Sequence, residues 1–147
     1  MSVLFSGPPE SFDSNLLDAA LLQRRAELIL AQIGHAESEL SLSLVDDPAI
    51  AELNLSYRKL DRPTDVLSFS LLEGDESSYR GNLLGDVVIS VETAARQAQE
   101  QEVSLDEELA RLLIHGVLHL IGHDHMEPEE EERMQAEERR LSEVLAL

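Results

Sequence analysis

Hydrophobic positions divide the first third of the chain into segments with helical and strand periodicity. Over residues 14–33 apolar side chains recur every three or four positions, which predicts an amphipathic helix that ends at Gly34. Over residues 39–46 leucines alternate with serines, the period of a strand with one buried face. Asp47 followed by proline is typical of an N-cap and a first helical position, so we expect a short helix over residues 47–57.

The rest of the chain continues with two strands and then three helices. Apolar runs at residues 66–72 and 84–89 flank a polar segment with two glycines, which predicts a hairpin with a long connection. Ser90 is expected to cap a helix that extends to about residue 102. The sequence SLDE at residues 104–107 fits a capping box at the start of the next helix. Residues 128–147 predict a last, highly charged helix.

The helix that follows the capping box is the most hydrophobic predicted element. Between Arg111 and Gly122 it is apolar apart from two histidines and a glycine, so both of its faces should be buried. We therefore predict a single α+β domain over residues 1–147, in which a small mixed β-sheet packs with helices around this central buried helix. No repeat, linker or second domain is visible in the sequence.

Composition and charge exclude several classes of protein. The chain has 147 residues and no cysteine, so a disulfide scaffold, a thiolate zinc site and a cysteine nucleophile are all excluded. The first ten residues do not resemble a signal peptide and no long apolar run occurs, so we expect a cytoplasmic protein that does not contact a membrane. A net charge of −19 argues against non-specific attraction to nucleic acid, and any phosphate chemistry must therefore be local.

Four of the five histidines lie within eleven residues, in the sequence HGVLHLIGHDH. His115 and His119 are four positions apart, so they can direct their imidazoles at one metal ion from the same face of a helix. A third ligand requires the helix to end, and Gly122 supplies that end because glycine readily adopts the left-handed conformation. The resulting spacing, H-x-x-x-H-x-x-G-x-x-H, matches the metal-binding frame of the metzincins and favours His125 as the third ligand.

One departure from the metzincin frame changes the expected chemistry. Metzincins carry a glutamate as general base directly after the first histidine, and this chain has Gly116 there. Three neutral imidazoles would leave the full charge of a divalent ion in place, with an open position suited to an anion such as a phosphodiester. His123 is interpreted as a residue of the cleft or, alternatively, as a ligand, whereas His35 is interpreted as a structural residue.

With these residues identified, the chain resembles the YbeY family of metal-dependent endoribonucleases. The matching segments are HGVLHLIGHDH at residues 115–125, YRKLDRPTDVLSFS at residues 57–70 and LLGDVVIS at residues 83–90. The resemblance implies a metzincin-like fold, one zinc-type ion on His115, His119 and His125, and cleavage of single-stranded RNA. It also implies a role in ribosomal RNA maturation, at the 3′ end of the small-subunit RNA, and in ribosome quality control.

By the same resemblance Arg58 takes the place of the family's functionally important arginine. Arg58, Lys59 and Arg62 also form the densest basic cluster of this acidic chain, and a guanidinium can bind a phosphate with two hydrogen bonds. The alternative is that these cations only offset the dipole at the end of their helix. Asp65 is expected to shape a turn, with contact to the substrate as the alternative. Asp86 is expected to be a buried carboxylate at the end of a strand, with a catalytic role as the alternative.

The functional prediction is a hydrolytic endoribonuclease that acts on ribosomal RNA. Zinc suits the three imidazoles, although nickel or another divalent metal accepts the same donors. Single-stranded RNA is the expected substrate, DNA is not, and ribosomal proteins are the expected partners. Two alternatives stay open: a metzincin-like metalloprotease or other zinc hydrolase, and a non-catalytic ribosome assembly factor in which the metal only stabilises the fold.

Overall fold

The computed structural model describes residues 3–70, 82–123 and 127–147, and the elements below are those of the described residues. The polar connection between the two predicted hairpin strands and the expected ligand His125 lie outside them. In chain order the elements are β1 (Val3–Ser6), α1 (Ala19–Gln32), β2 (Glu39–Val45), α2 (Asp47–Arg58), β3 (Val66–Ser70), β4 (Leu83–Ser90), α3 (Val91–Gln101), α4 (Leu105–Leu120) and α5 (Pro128–Val144).

The strands form one mixed sheet with the order β1-β2-β4-β3. β1, β2 and β4 are parallel, whereas β3 pairs antiparallel with β4 and forms the edge nearest the candidate site. The predicted strand alternation in β2 is confirmed, because Leu40, Leu42 and Leu44 are buried and the serines between them are not fully buried. The sequence did not predict β1, which has four residues and places Leu4 half exposed at the opposite edge.

Helix α4 crosses the interior and is the element around which the others pack. It contacts β3 and β4 of the sheet and also α1, α3 and α5, which agrees with the prediction of two buried faces and a single α+β domain. Within the described residues, no helix is long and apolar enough to cross a membrane. The buried positions of α4 are Glu108, Leu109, Ala110, Leu112, Leu113, Ile114, Gly116, Val117, Leu118 and Leu120.

The predicted N-terminal starts of α3 and α4 are confirmed by their capping hydrogen bonds. The Ser90 side chain accepts a hydrogen bond from the Thr93 N–H, and the Ser104 side chain accepts one from the Glu107 N–H. After the last residues of α4, Gly122 has a φ of +99°, in the left-handed region that lets the chain turn away from the helix axis. The chain therefore turns directly after the two helical histidines, as the spacing predicted.

Two helix starts differ from the sequence prediction. The first helix does not begin near residue 14: a short 3₁₀ turn at Ser14–Leu16 precedes α1, and Asp18 caps α1 by accepting from the Leu21 N–H. The N-cap of α2 is Asp46, which accepts from the Ala49 N–H, and not Asp47. Asp46 and Asp47 both precede Pro48, and the backbone conformation makes Asp46 the cap where the sequence pattern predicted Asp47.

Asp47 instead holds the start of α2 against the start of α3. Its carboxylate accepts hydrogen bonds from the hydroxyls of Ser90 and Thr93, both at 2.6 Å, and from the Arg96 guanidinium at 2.9 Å. Burial raises the pKa of Asp47, but these three donors outweigh burial and leave the pKa below its usual range. The contact matters for the site because α2 carries Arg58 at its other end.

Asp47→Ala should lower the free energy of unfolding by about 1–3 kcal/mol, because it leaves three donors without their acceptor. Since the pKa of Asp47 is lowered in the folded protein, its contribution is present above about pH 4 and is lost as the pH falls through the folded pKa. Urea unfolding of both proteins between pH 7 and pH 3 should show the difference shrinking with acidity. Asp61→Ala, at an exposed position, is the control, and a difference that grows below pH 4 would contradict the assignment.

Candidate metal centre

His115 and His119 lie one turn apart on α4, and their side chains converge. Their Nε2 atoms are 3.0 Å apart, and the rings meet edge to face with centroids 4.5 Å apart. The carboxylate of Glu138, on α5, lies 3.9 Å from Nδ1 of His115, on the side of the ring away from His119. This distance is too long for a hydrogen bond, so Glu138 contributes a negative charge near His115 and does not fix which ring nitrogen carries the proton.

The imidazole pair fits a single divalent cation. Two nitrogens bound to one zinc ion at about 2.0–2.1 Å lie about 3.3 Å apart in tetrahedral geometry, close to the observed spacing. Two neutral Nε2 lone pairs would repel each other at this distance, so either one ring must donate a proton or a cation must lie between them. The donor chemistry and the spacing are compatible with a metal-binding pair, and the spacing equally suits a hydrogen bond between the two rings.

The structure places only part of the predicted ligand set. His125 lies outside the described residues, and within the described ones no three His, Asp or Glu side chains gather as a metal site would require. His123 lies elsewhere: it lines a separate depression with Gly122, Glu130 and Arg133, so the interpretation of His123 as a residue of the cleft is wrong. The third ligand therefore stays a prediction.

The histidine pair opens onto a cleft of about 550 Å³ between α4 and the β3 edge of the sheet. Four parts of the chain line this cleft: the end of α2, the loop before β3, β3 itself and the histidine turn of α4. Its lining consists of Arg58, Thr64, Asp65, Val66, Leu67, Ser68, Ser70, His115 and His119. The structure thus brings Arg58 to the same cleft as His115 and His119, although these residues are more than fifty positions apart in the chain.

Two serines of β3 fix the histidine turn of α4 against the sheet. The Ser68 hydroxyl donates to the Gly116 carbonyl at 2.8 Å, and the Ser70 hydroxyl donates to the Leu120 carbonyl at 3.0 Å. These two carbonyls bracket His119 along the helix. The sequence did not predict this role, because alternating serines in a strand do not indicate which helix carbonyls their hydroxyls will hydrogen-bond.

Gly116 allows the helix to approach the sheet closely. A Cβ at this position would lie 2.9 Å from Cγ1 of Val87 and 3.2 Å from both Oγ of Ser68 and Cγ2 of Val66, which is too close for ordinary packing. The position therefore faces the sheet and has no room for a glutamate. A glutamate at the position of the metzincin base would therefore require these side chains or α4 itself to shift.

The end of α2 is built so that Arg58 reaches the cleft. Lys59, directly after it, has a φ of +61° and ends the helix. The loop that follows is held by Asn54, which is buried and donates from its side-chain amide to the Arg62 carbonyl at 2.9 Å. Arg58 is exposed and lines the cleft, whereas Lys59 and Arg62 do not line it.

Asp65, which was expected only to shape a turn, lies in the cleft itself. It lines the cleft, and its carboxylate accepts from the Val66 N–H at 2.7 Å and from the Gln97 side-chain amide at 3.3 Å. Burial raises the pKa of Glu108, on α4, and the charge of Asp65 adds to this rise while Arg111 opposes it.

Asp86 does not line the cleft. It is half-buried in the middle of β4, so the expectation of a buried carboxylate at the end of a strand was wrong.

The mixed sheet, the buried helix and the cleft lined by a histidine pair and an arginine define a small α+β protein. A family model described as endoribonuclease YbeY matches residues 12–146. The chain belongs to the YbeY family, and the predicted resemblance is confirmed. It is 44% identical over 131 residues to the endoribonuclease YbeY of Heliobacterium modesticaldum, covering 82% of this chain and 79% of that protein.

Two further comparisons agree with this assignment. The endoribonuclease YbeY of Aquifex aeolicus is 50% identical over 113 residues, which cover 76% of this chain and 73% of that protein. Among solved structures, the solution structure of TM1509 from Thermotoga maritima matches with a TM-score of 0.65 and 28% identity, over 97% of this chain and 88% of that one. The comparisons therefore extend over nearly the whole α+β domain.

Proposed function

We propose that this protein is a zinc-dependent endoribonuclease that cleaves single-stranded RNA by hydrolysis. Membership of a family of endoribonucleases supports the reaction class. The observation that carries the proposal is the meeting of the His115–His119 pair with Arg58 in one cleft, because a cation site beside a guanidinium suits a phosphodiester.

The side chains of the cleft have separate tasks in this reaction. His115 and His119, together with His125, would hold the ion, which when bound supplies positive charge to a phosphoryl oxygen or acidifies a water molecule. Arg58 binds the phosphate and stabilises the charge that develops on it. Ser68 and Ser70 direct their protons at carbonyls of α4, so we assign them to holding the helix and not to nucleophilic attack.

The biological setting of the proposal is the ribosome. We infer a cytoplasmic role in the maturation of ribosomal RNA, at the 3′ end of the small-subunit RNA, and in ribosome quality control, with ribosomal proteins as partners. The net charge of −19 supports a need for such partners, because a strongly acidic protein meets free RNA slowly. Zinc is the metal proposed for the native protein.

The proposal is tested by incubating the purified, zinc-loaded protein with single-stranded RNA, duplex RNA and single-stranded DNA of the same sequence. Cleavage of the single-stranded RNA is expected, with loss on treatment with a chelator and recovery on addition of zinc. Metal content measured by mass spectrometry on the same samples links occupancy to activity. Full cleavage by the metal-free protein, or equal cleavage of the DNA, would contradict the proposal.

A peptidase is the second candidate, and one feature of the cleft favours it. β3 borders the cleft and, among the described residues, is paired only with β4, so an extended peptide could add to its outer edge. The packing at Gly116 opposes this candidate, since no glutamate base fits there. Hydrolysis of an unfolded protein substrate by the zinc-loaded enzyme, with RNA left intact, would reverse the order of the two candidates.

A further inference from the structure

An exposed aromatic side chain lies beside the cleft and has no task in the reaction described above. Tyr57, the residue before Arg58, is 67% exposed and is the most exposed large hydrophobic side chain of the described residues. Its ring packs against that of Phe69 with centroids 4.9 Å apart and an angle of 57° between the ring planes. The contact holds one face of Tyr57 and leaves most of its ring open to solvent.

The position of this aromatic pair relates it to the cleft. Phe69 lies on β3 between Ser68 and Ser70, and these serines and Leu67 line the cleft whereas Phe69 does not. Tyr57 does not line the cleft either, so the aromatic pair lies at the β3 edge beside the cleft and not within it. Arg58 follows Tyr57 directly and reaches the cleft, so the guanidinium and the aromatic ring flank the same edge of the sheet.

This arrangement matches the chemistry of a single-stranded nucleic acid. Unpaired bases stack on aromatic side chains, and every base has a face that can do so, while arginine binds the neighbouring phosphate. Stacking also needs no net positive charge, which suits a chain with 30 acidic and 11 basic residues. A duplex keeps its bases stacked on each other and cannot use such a ring.

We propose that Tyr57 is a base-stacking subsite for the nucleotide next to the phosphate that Arg58 binds. The inference rests on the proposed endoribonuclease function and deepens it, since it makes Tyr57 a source of the preference for single strands. The competing explanation is that Tyr57 only covers Phe69 and stabilises the end of α2. The two explanations differ in whether the effect of changing Tyr57 depends on a base being present in the substrate.

The test is a double-mutant cycle between the protein and the RNA. Tyr57→Ala should raise KM for a single-stranded RNA by about tenfold, within the range expected for one lost base stack, and change kcat little. Removing the base next to the cleavage site, by placing an abasic nucleotide there, should raise KM of the unchanged enzyme by a similar factor. In Tyr57→Ala the abasic substitution should then have no further effect.

Three matched variants complete the design. Tyr57→Phe keeps the ring and should keep KM, and Leu55→Ala removes an exposed apolar side chain of the same helix without affecting KM. Because the chain has no tryptophan, Tyr57→Trp introduces a single tryptophan, whose emission on selective excitation should be quenched by single-stranded RNA and not by duplex RNA. Thermal unfolding of each variant shows whether the fold is kept.

The outcomes separate this inference from the function on which it rests. If the unchanged enzyme cleaves RNA and Tyr57→Ala keeps its KM, or if the two changes act independently of each other, the stacking subsite is wrong and the nuclease stands. The same conclusion follows if Tyr57→Trp cleaves RNA but its fluorescence is not quenched by the single strand. If the unchanged enzyme neither binds nor cleaves RNA, both proposals fail.

Discussion

Replacing His119 with alanine is expected to remove the bound metal and the RNA cleavage together. His119 supplies one of two Nε2 atoms that lie 3.0 Å apart, and its loss would leave only His115 and the predicted ligand His125 to hold the ion. Residues that only orient metal ligands already change metal affinity or activity by about 10–100-fold, so loss of a ligand should exceed 100-fold. Metal content by mass spectrometry and initial rates on single-stranded RNA measure the two losses.

The control for this prediction is His35→Ala. His35 is half-buried in the turn between α1 and β2, where its Nδ1 lies 3.2 Å from the Ser38 hydroxyl, and it has no contact with the cleft. Its replacement should leave one metal ion per chain and unchanged turnover. A His119→Ala protein that still binds one zinc ion and still cleaves RNA would show that the helical pair is not the metal centre. A metal-free but folded protein that still matures ribosomes would favour the assembly-factor alternative.

The buried helix and its turn were predictable from the sequence because each depends on local signals. Ser104 and the apolar run after it define the start and the two buried faces of α4, and Gly122 marks its end. The facing of His115 and His119 follows from their spacing of four. None of these features requires knowledge of which distant residue lies opposite, and that is why the sequence was sufficient.

Other parts of the site depend on contacts between distant segments. From the sequence alone, Gly116 shows only that the glutamate base of the metzincins is absent. In the fold, Gly116 is the position at which α4 approaches Val87 and Ser68 most closely. The hydrogen bonds from β3 to the carbonyls of α4 join residues about fifty positions apart. Asp65 was assigned to a turn because its loop has turn chemistry, whereas the fold places it in the cleft and joins it to Ser90 and Gln97, which are distant in the chain.

The net charge of the whole chain does not describe the local electrostatic field at the cleft. The net charge of −19 predicts weak attraction to RNA, yet Arg58 projects from the end of α2 into a cleft with a histidine pair. Local fields near a bound cation and a guanidinium decide where a phosphate binds, whereas the net charge mainly affects the rate of encounter. Substrate binding should therefore depend on very few cationic side chains.

Arg58→Ala should lower the rate of RNA cleavage by about 10²–10³-fold and leave the metal in place, as expected for the loss of one charged donor at a developing anion. Arg58 is exposed at the last position of α2, so its removal costs the fold no more than about 1 kcal/mol of helix-dipole stabilisation. Turnover under saturating RNA, metal content and thermal unfolding should be measured on the same preparation. Arg58→Lys should recover part of the rate, because an ammonium keeps the charge but not the two parallel hydrogen bonds.

The matched control is Arg62→Ala, four residues further along the chain. Arg62 carries the same charge and is exposed in the loop after α2, but it does not line the cleft, so its removal changes the net charge equally without removing a donor from the site. Equal losses in the two variants would mean that the cluster acts only through its general field, and raising the salt concentration should then remove the difference from the unchanged protein. A large loss confined to Arg58, with metal retained and little dependence on salt, requires a direct contact with the reacting phosphate.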